Sequence, residues 1–205
     1  MGEGIKNTDF KPPANPWILF AEWYALADKN EPSDPNAMVL ATVGAEGEPS
    51  ARVVLLKGYD AGGFTFFTNR QSLKGIHLAR HPQAAICFHW KSLKRQVRAE
   101  GLVTAVSDAE SDAYFGTRPR GSQIGAWASE QSKILSDRAT LEHRVEQVEK
   151  KYEGLSVPRP PHWGGYRLAP LLIEFWQERD FRLHDRIVYH RAGEKEKWIQ
   201  ERLYP

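Results

Sequence analysis

Cysteine is nearly missing from this chain. Cys87 is the one thiol in 205 residues, which excludes an intramolecular disulfide and any multi-cysteine metal site. It lies in the apolar run AAICFHW, where a buried, inert thiol is the expected role. Charge of one sign is scarce too. Lys and Arg number 28 against 26 Asp and Glu, and the net +2 is too small to advertise a nucleic-acid or anionic-membrane partner. No apolar run approaches the ~18 residues of a membrane span. The N-terminal MGEGIKNTDF has no apolar signal core, so cytoplasmic residence is the expectation. The chain has no GxGxxG behind a strand, no GxxxxGK(S/T), no HExxH and no GxSxG, so a nucleotide-like cofactor would have to bind without a Rossmann turn. His77, His81, His89, His143, His162 and His190 show no ligand spacing, and no metal site is expected.

Aromatic residues, by contrast, are plentiful: seven Trp, seven Tyr and nine Phe can fill a core or stack on a flat ligand. Residues 1–14 are polar and end in KPPAN, which reads as a flexible arm, and residues 15–205 read as one domain. Asn15 can cap a helix with Pro16 at its first position, and apolar residues follow helical spacing until EPSDPN. AMVLATV, SARVVLLKGY and GFTFFTN are expected strands at 37–43, 50–59 and 63–69, separated by turns rich in Gly, Asp and Pro. A short helix over SLKGIHLAR stops before Pro82, and AAICFHW and QVRAEGLVTAV continue the sheet. Ser107 opens a helical region that runs to Gly154, a Pro-rich connector follows, and strands return in YRLAPLLIEFWQ and FRLHDRIVYHR. The order predicts an α+β, mainly antiparallel β protein, a barrel with surrounding helices.

Four constellations could carry chemistry. In RVVLLK, Arg52 and Lys57 bracket four aliphatic residues, the pattern of a strand buried on both sides. On a regular strand their odd separation puts them on opposite faces, so one ligand can use both only through a bulge, a strand end or a subunit interface. Thr68, Ser72 and Lys74 stand where a strand leads into a helix N-terminus, which suits a phosphate as well as it suits a plain cap. Tyr114, Arg118 and Ser122 lie four apart, but Pro119 disfavours a helical Arg118. A break is expected there, with Ser122 in the first turn of a new helix and the three side chains forming a phosphate cup or mere surface decoration. Near the C-terminus Arg182, His184 and Arg186 would share one strand face and Leu183, Asp185 and Ile187 the other. Such a comb of like charge either receives an anion or an electron-rich ring, or guards an edge strand. Gln96, Gln131 and Ser132 could hydrogen-bond a heterocycle, whereas Trp176 reads as core.

Taken together, RVVLLKGYD, FFTN followed by SLK, WKSLKRQVR, DAYFGTRPRGSQIGAWAS, the QS pair, HWGGYR, IEFWQ and FRLHDR resemble, in order, the flavin-dependent pyridoxamine 5'-phosphate oxidase family. The resemblance spans about residues 15–205. It implies an FMN-binding split barrel of Greek-key type, a homodimer with FMN at the subunit interface, and oxidation of pyridoxamine or pyridoxine 5'-phosphate to pyridoxal 5'-phosphate. Hydride would pass to FMN and oxygen would become hydrogen peroxide, with no nucleic-acid or membrane partner. By position, Arg52, Val53, Val54, Leu55, Leu56, Lys57, Phe67, Thr68, Lys74, Gln96, Gln131, Ser132, Trp176 and Arg186 match the family's FMN contacts. Lys57, Tyr114, Arg118 and Ser122 match its substrate-phosphate cup, and Arg182 and His184 match groups over the substrate ring, the catalytic candidates. Leu73 stands where relatives often carry a basic residue, and the family's N-terminal Arg-and-Tyr segment has no counterpart in MGEGIKNTDF. Other readings are a split-barrel flavoprotein with a different substrate, a carrier or sensor of FMN or pyridoxal phosphate, and a nucleic-acid-binding barrel. The joint presence of the cup and RLHDR favours the oxidase.

Overall fold

The computed structural model describes residues 11–205; most of the expected N-terminal arm, and the MGEGIKNTDF segment with it, lies outside the described residues. Helix α1 spans Pro16–Asn30, and the Asn15 side chain accepts a hydrogen bond from the Trp17 amide, as the sequence predicts. Strands β1 (Ala37–Val43), β2 (Pro49–Leu55), β3 (Gly58–Asp60) and β4 (Gly63–Asn69) follow, then α2 (Leu73–Arg80). Strands β5 (Gln83–Trp90) and β6 (Arg95–Ala105) lead to three helices, α3 (Asp108–Thr117), α4 (Arg120–Ala128) and α5 (Arg138–Lys151). Strands β7 (Trp163–Gln177), β8 (Asp185–His190) and β9 (Ile199–Leu203) complete the strands of the described residues.

All nine strands join one antiparallel sheet in the order β2-β1-β5-β6-β7-β4-β3, with β8 and β9 added beside β7. The 15-residue β7 makes this possible, because its first half pairs with β4 and its second half with β8 while β6 follows it from Tyr166 to Gln177. The register shifts at Glu100/Gly101, and a Cβ on Gly101 would stand 2.0 Å from the Ala169 carbonyl oxygen, so the bend requires glycine. The sheet curls around one core. Leu19, Phe20, Trp23 and Ala27 of α1 plug it, Phe20 lying 5.0 Å from Phe64 and 5.5 Å from Phe88 between ring centroids. Burying each such ring contributes about 1.5–3 kcal/mol, so helix and sheet are mutually dependent. A smaller core of Phe115, Ile124, Tyr152, Val157 and Trp163 fixes the α3–α5 layer to one end of the sheet.

Two expected strands differ in ways that matter. SARVVLLKGY is not one strand over 50–59. It breaks after Leu55 because buried Leu56 donates its amide to the Asn36 carbonyl beside β1, while the next amide, of Lys57, donates to Thr65 of β4. Nor is RVVLLK buried on both sides: β2 is an edge strand, and Val53 is 63% exposed. FRLHDRIVYHR is a strand only over Asp185–His190. Asp180–Arg182 form a 3-10 turn in which Phe181 and Arg182 take positive φ, 54° and 61°, so strand alternation does not govern Arg182 or His184.

Candidate functional site

A cleft of about 960 Å³ opens where edge strand β2 faces the end of β4 and the α3–α4 junction. Its walls come from Ser50–Leu55 and Lys57, from Phe67, Thr68, Asn69, Leu73 and Lys74, and from Tyr114, Arg118, Ser122, Gln131, Ser132 and Trp163. The break after Leu55 brings Arg52 and Lys57 to the same cleft, which a regular strand would forbid. Leu56 is the exception within its stretch, since its side chain is turned into the core.

At one end lies Lys74, in the first turn of α2 and only 7% exposed. Its ammonium reaches the Thr68 and Ser72 hydroxyls at 3.3 and 3.2 Å and the Gln131 Oε1 at 3.0 Å, all neutral acceptors. Burial, with the nearby Arg52 guanidinium adding to it, pulls its pKa down to about 8. Arg52 is held the same way: Nη1 donates to the Leu40 carbonyl at 3.2 Å and to Thr42 Oγ1 at 2.6 Å, and Nη2 donates to Ser50 Oγ at 2.6 Å. A buried ammonium and a half-buried guanidinium side by side, tied to neutral oxygens alone, are arranged for an anion. The ligand-free protein is therefore expected to grow more stable from about pH 8 towards the ordinary lysine value of 10.5, because over that window the unfolded chain holds a proton that folded Lys74 has released. Urea midpoints measured across the window should rise in the parent and rise less in Lys74→Met; parallel curves would contradict the assignment.

The other end is aromatic and basic. Pro119 separates α3 from α4, so Arg118 is extended and Ser122 enters the first turn of α4, as the sequence predicts. Phe67 stacks on Tyr114 at 4.1 Å and on Trp163 at 5.5 Å, forming a wall of near-parallel rings. Arg118 lies over the Trp163 ring at 4.8 Å, and Lys57 stands 5.9 Å from the Tyr114 ring centre. Burial lowers the pKa of Arg118, and its Nη1 is buried without a hydrogen-bond partner among the described residues. A second anionic group at this end would meet Tyr114, Arg118 and Ser122 together.

The remaining candidates lie elsewhere on the protomer. Gln96, Trp176 and Arg186 form one row across β6, β7 and β8, on the face turned away from the core, and none lines the cleft. Trp176 is thus not in the core but against His184, ring centroids 4.6 Å apart. His184 Nδ1 accepts from the Arg179 amide at 3.1 Å, which places the ring proton on Nε2. Arg186 Nε donates to Glu174 at 2.8 Å, and Glu174, 3% exposed, also holds Arg98 at 2.7 Å. Burial works against that carboxylate's charge, but hydrogen bonds from Arg186 and Arg98 outweigh it and hold its pKa below the usual value. Asp185 is occupied by Arg179 and Arg202.

Thr42, Ser50 and Trp163 also shape the cleft or its cations, and sequence reasoning assigned them nothing. Ser50 was findable, because it sits two residues before Arg52 on the same strand face. Thr42 and Trp163 reach the site through tertiary packing.

Comparison with known proteins places the chain closely. Residues 27–152 match the family model described as pyridoxamine 5'-phosphate oxidase, and residues 163–205 match the pyridoxine 5'-phosphate oxidase C-terminal dimerisation region. The chain is 56% identical over 201 residues to the pyridoxine/pyridoxamine 5'-phosphate oxidase of Azorhizobium caulinodans, covering 98% of this chain and 95% of that one. Among solved structures it is similar to PhzG from Burkholderia lata in complex with tetrahydrophenazine-1-carboxylic acid, with a TM-score of 0.89, 32% identity and coverage of 98% and 97%. A pyridoxamine 5'-phosphate oxidase-related, FMN-binding protein from Nostoc punctiforme shares the fold, with a TM-score of 0.73, 19% identity and coverage of 95% and 100%.

Proposed function

The chain belongs to the pyridoxamine 5'-phosphate oxidase family, and from that membership we propose that it oxidises pyridoxamine and pyridoxine 5'-phosphate to pyridoxal 5'-phosphate with FMN and oxygen. Pyridoxine phosphate and oxygen give the aldehyde and hydrogen peroxide; the amine also consumes water and releases ammonia. The observation that carries this reading is a single cleft with cations uncompensated at both ends, Arg52 and Lys74 at one and Lys57 and Arg118 at the other. Two phosphate esters side by side, one on the cofactor and one on the substrate, account for both.

The residues present fit FMN. Buried Lys74 and half-buried Arg52 have only neutral acceptors, so they would hold its phosphate together with Thr68, Gln131 and Ser132. The open edge of β2 at Val53–Leu55 would offer backbone groups to the flavin heterocycle, beside Phe67. When bound, FMN supplies the two-electron acceptor for the hydride leaving the exocyclic carbon, and oxygen regenerates it with release of peroxide. The protein's own task is positioning, worth several orders of magnitude in rate. Lys57, Tyr114, Arg118 and Ser122 would anchor the substrate phosphate. Gln96, Trp176 and Arg186, with Arg182 and His184, form a second half-site away from the cleft, which a homodimer can bring over it across the interface. There Arg182 and the Nε2–H of His184 would hold the pyridine ring flat and polarise its substituents, neither acting as an obligatory base.

Residues 15–205 would work as one catalytic domain. Phosphorylated, membrane-impermeant substrates would favour work in the cytoplasm, and no helix among the described residues is long and apolar enough to cross a membrane. The purified protein should be yellow, bleach when mixed with pyridoxine 5'-phosphate without oxygen, and regain colour with peroxide when air is admitted. A colourless protein, or a flavin that stays oxidised, would overturn the proposal.

A further inference from the structure

We propose that His77 is a positioning residue for the phosphate end of the flavin site, acting through Thr42 on Arg52; this rests on the reading that Arg52 and Lys74 receive the FMN phosphate. His77 lies on the inner face of α2, 6% exposed, with Nδ1 3.1 Å from Thr42 Oγ1. Thr42, 1% exposed on β1, takes the 2.6 Å hydrogen bond from Arg52 Nη1 on the same oxygen.

Proton counting fixes one half of this relay, and the histidine tautomer sets the other. A threonine hydroxyl has one proton to give, and a guanidinium can only donate. Arg52 therefore uses a lone pair of Thr42, and the relay requires the Nε2–H tautomer of His77, in which the Thr42 proton goes to Nδ1. With the hydroxyl pinned by His77, its lone pair points at Arg52. The Leu40 carbonyl and Ser50 hydroxyl complete the clamp. Two Arg52 protons, the Nε–H and one on Nη2, keep no protein acceptor among the described residues and remain for an anion. The same α2 carries Lys74 in its first turn, so one helix delivers one cation directly and aims the other through a hydroxyl. Remove the imidazole, and a buried hydroxyl loses its acceptor and is free to turn its proton towards Arg52.

The test separates phosphate from ring. Holoenzyme containing FMN, and the same protein exchanged into riboflavin, are diluted, and the released flavin is followed by its fluorescence. His77→Leu should weaken FMN about 5- to 20-fold and riboflavin less than about 2-fold. His77→Asn, whose amide oxygen can stand where Nδ1 stood, should recover FMN affinity to within about 3-fold. Thr42→Val should match His77→Leu, and the double variant should lose no more than either, because both break one chain. Equal weakening of FMN and riboflavin, an unchanged His77→Leu, no recovery with asparagine, or additive losses would each overturn the relay. If His77→Leu does not fold, Thr42→Val and His77→Asn decide on the same two readouts. A parent protein that retains neither flavin overturns the flavin reading itself, a result distinct from a relay that fails.

Discussion

Arg118→Ala is expected to raise KM for pyridoxine 5'-phosphate about 100-fold while leaving kcat at saturation within about threefold. The guanidinium sits over Trp163 with one nitrogen buried and unpartnered, and its charge-assisted bonds to a phosphate would contribute roughly 1.5–3 kcal/mol each. The phosphate is remote from the carbon that reacts, so this binding energy is spent alike on ground and transition states. Arg182→Ala should differ in kind. It would touch the ring whose exocyclic carbon loses the hydride, so kcat falls as well, by about tenfold or more. Steady-state kinetics on the FMN-saturated enzymes would check both. Small and equal effects on KM and kcat in the two variants would remove both roles.

Glu174→Ala should lower the melting temperature by about 5 °C. Glu174 is buried on β7 and binds Arg98 from β6 and Arg186 from β8, so one carboxylate neutralises cations from both neighbouring strands. Breaking a fully buried pair from one side costs about 3–5 kcal/mol, because the abandoned charges stay desolvated. The Arg98 and Arg186 side chains are 39% and 29% exposed, however, and Arg98 keeps Glu100, so solvent lowers the cost here to about 2 kcal/mol. In a chain of this length each kcal/mol shifts melting by roughly 2–4 °C. Glu174→Gln, which keeps the shape and one acceptor, should lose less than half as much. Thermal unfolding followed by circular dichroism decides, and an alanine variant that melts with the parent would show the network to be idle.

Much of this fold was readable because local rules and tertiary packing agree. Asn15 and Pro16 start α1, β-branched and aromatic runs set off by Gly-, Asp- and Pro-rich turns mark β1 and β4, and Pro119 interrupts the Tyr114–Arg118–Ser122 line where expected. The failures are places where the same local signal serves two structures. RVVLLK continues without a turn residue, yet the chain changes hydrogen-bonding partner between Leu56 and Lys57, an event set by Asn36 and Thr65 far along the sequence. FRLHDR alternates like a strand, and no Gly or Asn at 181 or 182 announces the left-handed turn there. The relay from His77 to Thr42 spans 35 residues and two hydroxyl-scale distances, so no spacing rule could find it. That Gln96, Trp176 and Arg186 sit apart from the cleft was equally hidden, since order along the chain carries no record of which copy a side chain serves.

The curled sheet never closes: β2 ends one side of the strand path, β3 and β4 the other, and the cleft is the seam between them. A ligand lying there takes the place of the missing strand pairing. Flavin bound there would act as a rivet as well as a reagent, and the amides of β2 should exchange with solvent faster in its absence than those of central β6. Starved of cofactor, the chain would breathe first along this line and show an unsatisfied, apolar edge to its neighbours. Flavin supply should then bear on how long the protein survives as well as on how fast it turns over.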